Sequence, residues 1–360
     1  LSGSDRGLAT ELALGAIRHR LLLDAWIDAH GRVPALRQPP RLRWLLHLGL
    51  HQLLCCRRIP AAAAVATTVE LAKGHGMGRL AAVVNGLLRS VLRQRQQLVE
   101  TGQGALEPWD GLVLQADAAG FSVRHSLPLW LSQAVHGWLP AAQAEAFGRA
   151  CNAPAPIDLR VNRLRLGRDE LLARFAAAGV AAAPLQGLPQ AVELLERCGD
   201  LRQLPGYSEG LWCVQDRNAQ RIAPLLDPQP GERVLDICAA PGGKSTHLAE
   251  LMDDQGRIRA VDRSEHRLRR VDANAARLGL GSVRTLAADA TRLERQHPDW
   301  KAGFQRILVD APCSGLGTLS RHADARWRMT PQRIAELVAL QARLLEGVAP
   351  LLVAGGTLVY

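Results

Sequence analysis

Aromatic side chains make up only 4% of the 360 residues, with two tyrosines and four phenylalanines. A protein that holds single-stranded nucleic acid mainly by stacking its bases needs a platform of such rings, so the grip on nucleic acid is expected to come mainly from arginine on phosphate, with strong salt dependence. Lysine is scarcer still: Lys73, Lys244 and Lys301 are the only three among 44 basic residues, and the rest are arginine. The seven cysteines, at positions 55, 56, 151, 198, 213, 238 and 313, include no C-x-x-C pair and no paired spacing. That pattern argues against a zinc site and against a disulfide framework. The cysteines read as reduced thiols of a cytoplasmic protein, and no metal is expected. No apolar run approaches the roughly 20 residues needed to span a bilayer, and "LALGAIRHRLLLDAWI" is broken by Arg18, His19 and Arg20. There is no signal-peptide pattern. The chain opens on Leu1 and is expected to be a fragment.

What is present is charge and apolar bulk. The formal charge of +10 points to a polyanionic partner such as nucleic acid. A coding bias toward arginine, alanine and leucine competes as the explanation for part of that excess. A hydrophobic content of 48% over this length suffices for two or three cores, so the expected fold class is multidomain.

Three textures divide the chain. Residues 1–138 carry helix-period apolar positions. Leu8, Leu12, Ile17, Leu21 and Ile27 keep near one face before a stop at Gly31, and further helices read from Pro40 to Cys56, Pro60 to Lys73 and Arg79 to about Val99. This is an all-helical bundle, whose arginines fit RNA phosphates and a solvated face equally well. Residues 139–226 form a small α+β region, with strand texture from about Cys151. In "PIDLRVNRLR", Ile157, Leu159 and Val161 alternate with Asp158, Arg160 and Asn162, which reads as a half-buried strand with a polar face. Arg160, Asn162 and Arg163 on that basic edge are candidate RNA contacts, and an ordinary spacer is the competing reading. In residues 227–360 near-continuous apolar strands alternate with helices, the pattern of a parallel, doubly wound sheet that binds ligands at the carboxyl ends of its strands.

At those ends the first strand runs into "LDICAAPGGKST". A phosphate-binding P-loop needs a glycine five residues before Gly243, and that position is Cys238. The small residues of the loop still allow close backbone approach to a ligand at a helix N-terminus. Successive strands bring Asp236, Asp262, Asp289 and Asp310 to one edge. Four carboxylates repel a triphosphate but suit hydroxyl and amino donors and a cation, so S-adenosylmethionine fits better than ATP. A P-loop-like ATPase stays as the runner-up, and a non-catalytic RNA-binding or assembly factor as a third reading. In "VDAPCSGLGTLSRHADARW", Pro312 keeps Ala311 extended and presents Cys313 beside the cleft. A thiol there can activate a pyrimidine by adding at C6, with Asp310 hydrogen bonding to the protonated N3 edge.

Taken together, "LDICAAPGGKSTHLAEL", "VDAPCSGLGT" with "RH" and "RW" after it, "RVNRLR", "WCVQD" and the N-terminal "GAIRHRLLLD", "HQLLCCRRIP" and "NGLLR" resemble the bacterial RNA 5-methylcytosine methyltransferases. The likeness covers nearly the whole chain. It implies a NusB-like RNA-binding bundle, a small RRM-like α+β domain and a Rossmann-like class I methyltransferase domain, with 16S ribosomal RNA as partner. It implies that Cys238, Ala239, Ala240, Pro241, Gly242, Gly243 and Lys244 form the S-adenosylmethionine loop. Asp262 would hold the ribose, Asp289 the adenine side, and Asp310 would lie between cofactor and cytosine. Arg321 and His322 join the candidate RNA contacts. Cys313 matches the cysteine that assists product release, whereas the attacking thiol of that family lies in a Thr-Cys motif just after the strand written here "GGTLVY". By the same likeness the chain is expected to be truncated at both ends, with two of seven strands absent, and a polypeptide ending at Tyr360 is expected to bind cofactor weakly without turnover.

Overall fold

The computed structural model describes residues 3–102, 106–196 and 198–360. It divides into two compact units, Leu1–Ala155 with Gly315–Pro331, and Pro156–Ser314 with Gln332–Tyr360.

The first unit is helical. Its leading helices span Gly3–Arg18, Arg20–His30, Pro40–Cys55, Ala61–Gly74 and Ala81–Glu100. Pro40 sits at the first helical position, where its missing N–H costs nothing. The single apolar face expected up to Gly31 is interrupted, because the helix breaks at His19 (φ −97°, ψ 18°). Leu8 is 48% exposed, and the buried stripe runs instead through Ala16, Leu22, Leu23, Trp26 and Ile27. These pack with Leu46, Leu50, Val84 and Leu88 into one core. A second core joins helices Ala118–His125, Leu129–Trp138 and Ala141–Asn152 to Leu319 and Ala325. Residues 139–155, read from the sequence as the start of the α+β region, and Gly315–Pro331, read as part of the sheet domain, thus fold with the helical unit.

In the second unit, strands β1 (Ile157–Val161), β2 (Ala182–Pro184), β3 (Ala191–Leu194) and β4 (Trp212–Val214) form an antiparallel sheet in the order β2-β3-β1-β4. Helix Arg168–Ala177 buries Leu171 and Phe175 against Leu159, Val161 and Trp212. The remaining strands are β5 (Arg233–Ile237), β6 (Arg257–Asp262), β7 (Val283–Ala287), β8 (Phe304–Val309) and β9 (Leu352–Val359). They form a wholly parallel sheet in the order β7-β6-β5-β8-β9. Strand alternation sends Val234 to one face, under helices Gly243–Leu251 and Glu265–Leu278, and Leu235 and Ile237 to the other, under helix Pro331–Val348. This is the expected doubly wound arrangement, and it places the carboxyl ends of β5 to β9 along one edge.

Candidate cofactor and catalytic site

The loop leaving β5 turns on three unusual backbone positions. Cys238 takes a positive φ of 60°, the Ala240–Pro241 peptide is cis, and Gly242 takes a φ of 98° as it opens helix Gly243–Leu251. A Cβ on Gly242 would lie 3.0 Å from the Val271 backbone, so the position is restricted to glycine by both conformation and space. The turn closes through Gly242 N–H to the Ala239 carbonyl (2.8 Å), and Ala239 N–H bonds the Val261 carbonyl of β6 (3.0 Å).

Asp262 braces this loop. Its side chain is 3% exposed, and it accepts from Ala240 N–H (3.3 Å) and Ser264 N–H (2.9 Å), with an Arg267 nitrogen at 3.4 Å. Arg267 in turn donates to the Ala240 carbonyl (2.6 Å). An ionised carboxylate offers about four lone-pair sites, so Asp262 can hold the loop and still accept from a ligand hydroxyl. Asp289 follows β7 and is 53% exposed. Its carboxylate accepts from the Thr291 hydroxyl (2.8 Å) and N–H (3.0 Å), and the hydroxyl bond holds its pKa below the usual carboxylate range. Asp310, just past β8, is 48% exposed and accepts from Lys244 Nζ at 2.5 Å. Lys244, Asp289 and Asp310 are therefore set on the same sheet edge as the glycine loop.

Asp236 departs from the expectation of four carboxylates in one cleft. It is the penultimate residue of β5, so alternation puts it on the Val234 face, beneath the helix that starts at Gly243. It is fully buried, accepts from Ser245 Oγ at 2.5 Å through one oxygen, and has no partner on the other. Burial, against the opposing Ser245 bond, drives its pKa up to about 7, with Asp310 and Asp262 adding to the rise. Asp236 supports the loop helix from within.

The two cysteines of the edge differ sharply. Cys238 is partly enclosed, and burial followed by the charges of Asp262, Asp236 and Asp310 pushes its thiol up to about 12. It stays a thiol. Cys313 is exposed, three residues beyond Asp310. The backbone between them is tied down by Gln341, whose amide donates to the Pro312 carbonyl (2.8 Å) while its oxygen accepts from the Tyr360 hydroxyl (2.8 Å). Ser245, Arg267, Gln341 and Tyr360 escaped the sequence reading. Their partners lie 9 to 29 residues away in sequence, and no local pattern announces them.

The candidate RNA contacts separate. Arg160 and Asn162 are fully buried. The guanidinium of Arg160 pairs with Glu250 at 2.8 Å, and Asn162 donates to the carbonyls of Gly210 (3.1 Å) and Leu278 (3.0 Å). The expectation that these two meet RNA is corrected: both faces of β1 are covered, so its polar side chains serve internal packing. Arg163 is 43% exposed and paired with Asp253 at 2.8 Å. Arg321 is half-buried and His322 exposed, both in the Gly315–Pro331 segment of the helical unit.

A glycine turn that excludes side chains, followed by carboxylate acceptors, suits a ligand with hydroxyl and amino donors and a positive centre, and opposes a polyphosphate. Residues 223–360 match the family described as 16S rRNA methyltransferase RsmB/F, residues 127–199 its ferredoxin-like domain, and residues 1–93 the NusB family. The probable ribosomal RNA small subunit methyltransferase B of Synechocystis is 42% identical over 360 residues, covering all of this chain and 78% of that protein. The Serratia proteamaculans methyltransferase B is 39% identical over all of this chain and 79% of its own length. The chain belongs to the RsmB family of ribosomal RNA small subunit methyltransferases. Members of this family are S-adenosylmethionine-dependent, and the groups at the sheet edge suit that cofactor. Among solved structures, PH0851 superposes with a TM-score of 0.78 at 26% identity, over 98% of this chain and 75% of that one. A methyltransferase homologue from Pyrococcus horikoshii gives 0.60 at 30% identity, over 69% and 77%. Among the described residues no helix is long and apolar enough to cross a membrane.

Proposed function

We propose that the protein methylates C5 of a cytosine in 16S ribosomal RNA through a transient cysteine–C6 adduct. The observation that carries this reading is the exposed pair Asp310 and Cys313 at the end of β8, beside Lys244 of the glycine loop. Cytosine C5 is too weak a nucleophile to take a methyl group unaided. A thiolate that bonds to C6 makes C5 enamine-like, and a carboxylate at the position of Asp310 stabilises the added proton at N3. The cofactor supplies an electrophilic methyl group when bound. Once C5 carries the methyl, loss of the C5 proton and cleavage of the S–C6 bond restore the ring, so one proton is exchanged for one methyl overall. In this reading Cys313 serves that release. Loop residues 238–244 hold the cofactor with Asp262 on the ribose and Asp289 toward the adenine, and the cytosine must leave its helical stack to reach the edge. Arg163, Arg321 and His322 contact RNA.

Nucleoside analysis of unmethylated 16S RNA after reaction with the full-length gene product tests the proposal. It requires 5-methylcytidine as the product, and a Cys313→Ser variant that accumulates covalent protein–RNA complex. A methyl group on an exocyclic amine or a ribose, or a Cys313→Ser enzyme that turns over as the wild type does, overturns it.

A further inference from the structure

The helical unit holds a cluster that the sequence pattern did not announce. His19, His51 and Cys55 each bring a ligand atom within 4.8 Å of the others. His51 and Cys55 lie one turn apart on helix Pro40–Cys55 and so share a face, while His19 occupies the break between helices Gly3–Arg18 and Arg20–His30. His51 is only 2% exposed, yet neither of its ring nitrogens has a hydrogen-bond partner, and the buried Nδ1 of His19 has none either. A buried polar atom left unpaired costs about 1–3 kcal/mol. Two neighbouring imidazoles in that condition, beside a thiol, leave lone pairs aimed at a shared position that a further ligand can occupy. The rings stack at 5.5 Å, and His51 fits only because position 15 is glycine: a Cβ there would lie 1.9 Å from its Nε2.

We propose that His19, His51 and Cys55 bind a zinc-class transition-metal ion. Two imidazoles and a thiolate form a borderline-soft donor set that favours zinc over magnesium or calcium. Burial pushes the His51 pKa down to about 4 and that of His19 well below its ordinary value, so both rings are neutral and hold free lone pairs. Cys55 is pushed up to about 12 by burial and remains a thiol until an ion takes its place on sulfur. Binding then forms one metal–sulfur bond and releases the thiol proton to water. A cavity of about 380 Å³ lined by His19, Cys55 and His125 provides access and space for water as a fourth ligand. The ion fastens the helix break at His19 to the end of helix Pro40–Cys55.

The test is metal analysis of the full chain after dialysis, followed by titration of the chelator-stripped protein with Co²⁺ as a spectroscopic substitute for zinc. The expected result is about one equivalent of bound ion per chain, a rise in thermal midpoint on adding Zn²⁺, and a thiolate-to-cobalt charge-transfer band. Cys55→Ser abolishes that band, His51→Gln weakens binding by about tenfold or more, and Cys56→Ser retains both. Circular dichroism of each stripped variant establishes that it is folded. Absence of the band and of near-stoichiometric metal in the wild type, or binding that survives Cys55→Ser and His51→Gln together, overturns the proposal.

Discussion

Arg160 and Arg326 are both fully buried, and they are buried in opposite ways. Arg160, on β1 of the sheet unit, faces an anion: its Nε and Nη2 reach Glu250 at 3.2 and 2.8 Å, and Nη1 and Nη2 also take the Gly243 carbonyl (2.7 Å) and Thr246 hydroxyl (3.0 Å). Arg326, in the helical unit, is caged by neutral oxygens. It donates to Asn152 Oδ1 (2.9 Å) and to the carbonyls of Cys151 (2.9 Å), Arg18 (3.2 Å) and Ser126 (3.2 Å). Burial pushes its pKa down to about 10, still charged at neutrality. The flat five-donor fork of arginine permits both solutions. A basic residue in a motif is thus as ready to bind its own fold as a nucleic acid. In the first case that binding hinges on one carboxylate, and in the second on a spread of dipoles.

The largest effect comes from removing the carboxylate. Glu250→Ala leaves Arg160 charged in a closed site, and breaking a buried ion pair from one side costs about 3–5 kcal/mol. Glu250→Gln keeps the shape and loses less. Chemical denaturation followed by a probe in the sheet unit measures both. A loss under about 1 kcal/mol for Glu250→Ala would mean that water reaches Arg160, and the contrast with Arg326 would vanish.

Asp236 extends the comparison to a buried anion with no cation bonded to it. Its folded pKa is raised from 3.8 to about 7, so the folded state holds the proton more tightly than the unfolded chain. The stabilisation from that proton is complete below about pH 4 and is lost as pH rises to about 7, above which the deficit is constant. Asp236→Asn does not titrate and still accepts from Ser245. Relative to wild type, the variant should gain stability between pH 4 and 7 by on the order of 4 kcal/mol. Melting curves across that range decide it, and parallel profiles for the two proteins would place Asp236 in contact with water.

These residues also mark what the sequence could reveal. The parallel sheet was legible because β5, β6 and β8 are short runs rich in Val, Ile and Leu with an aspartate within one residue of their carboxyl ends, and each is followed further along by a helix-period segment. The glycine loop was legible because its requirements are local. Asp262, Asp289 and Asp310 do stand at the sheet edge, but Asp236 does not, and only period-two alternation within β5 tells it apart. The alternation in β1 predicts a half-buried strand, but four of its five residues are buried, because helix Gly243–Leu251 covers its polar side through Thr246 and Glu250. No window around Arg160 contains that fact, since its partner is 90 residues away. His19 is likewise 32 residues from His51 and its helix neighbour Cys55, and their meeting depends on how two helices pack.

Arg163 supplies the smallest effect and the control for the other two. It lies three residues beyond Arg160, yet it is 43% exposed and its partner Asp253 is 46% exposed. An exposed pair of this kind contributes about 0–1 kcal/mol, because both charges are solvated and screened by salt. Arg163→Ala should therefore change stability by less than about 0.5 kcal/mol. If Arg163 meets an RNA phosphate, the same substitution should weaken binding to all RNA sequences alike and reduce the slope of log affinity against log salt by about one. Filter binding or anisotropy at several salt concentrations gives that slope. An unchanged slope would remove Arg163 from the interface, and a loss of stability comparable with that of Glu250→Ala would show that it shares the role of Arg160.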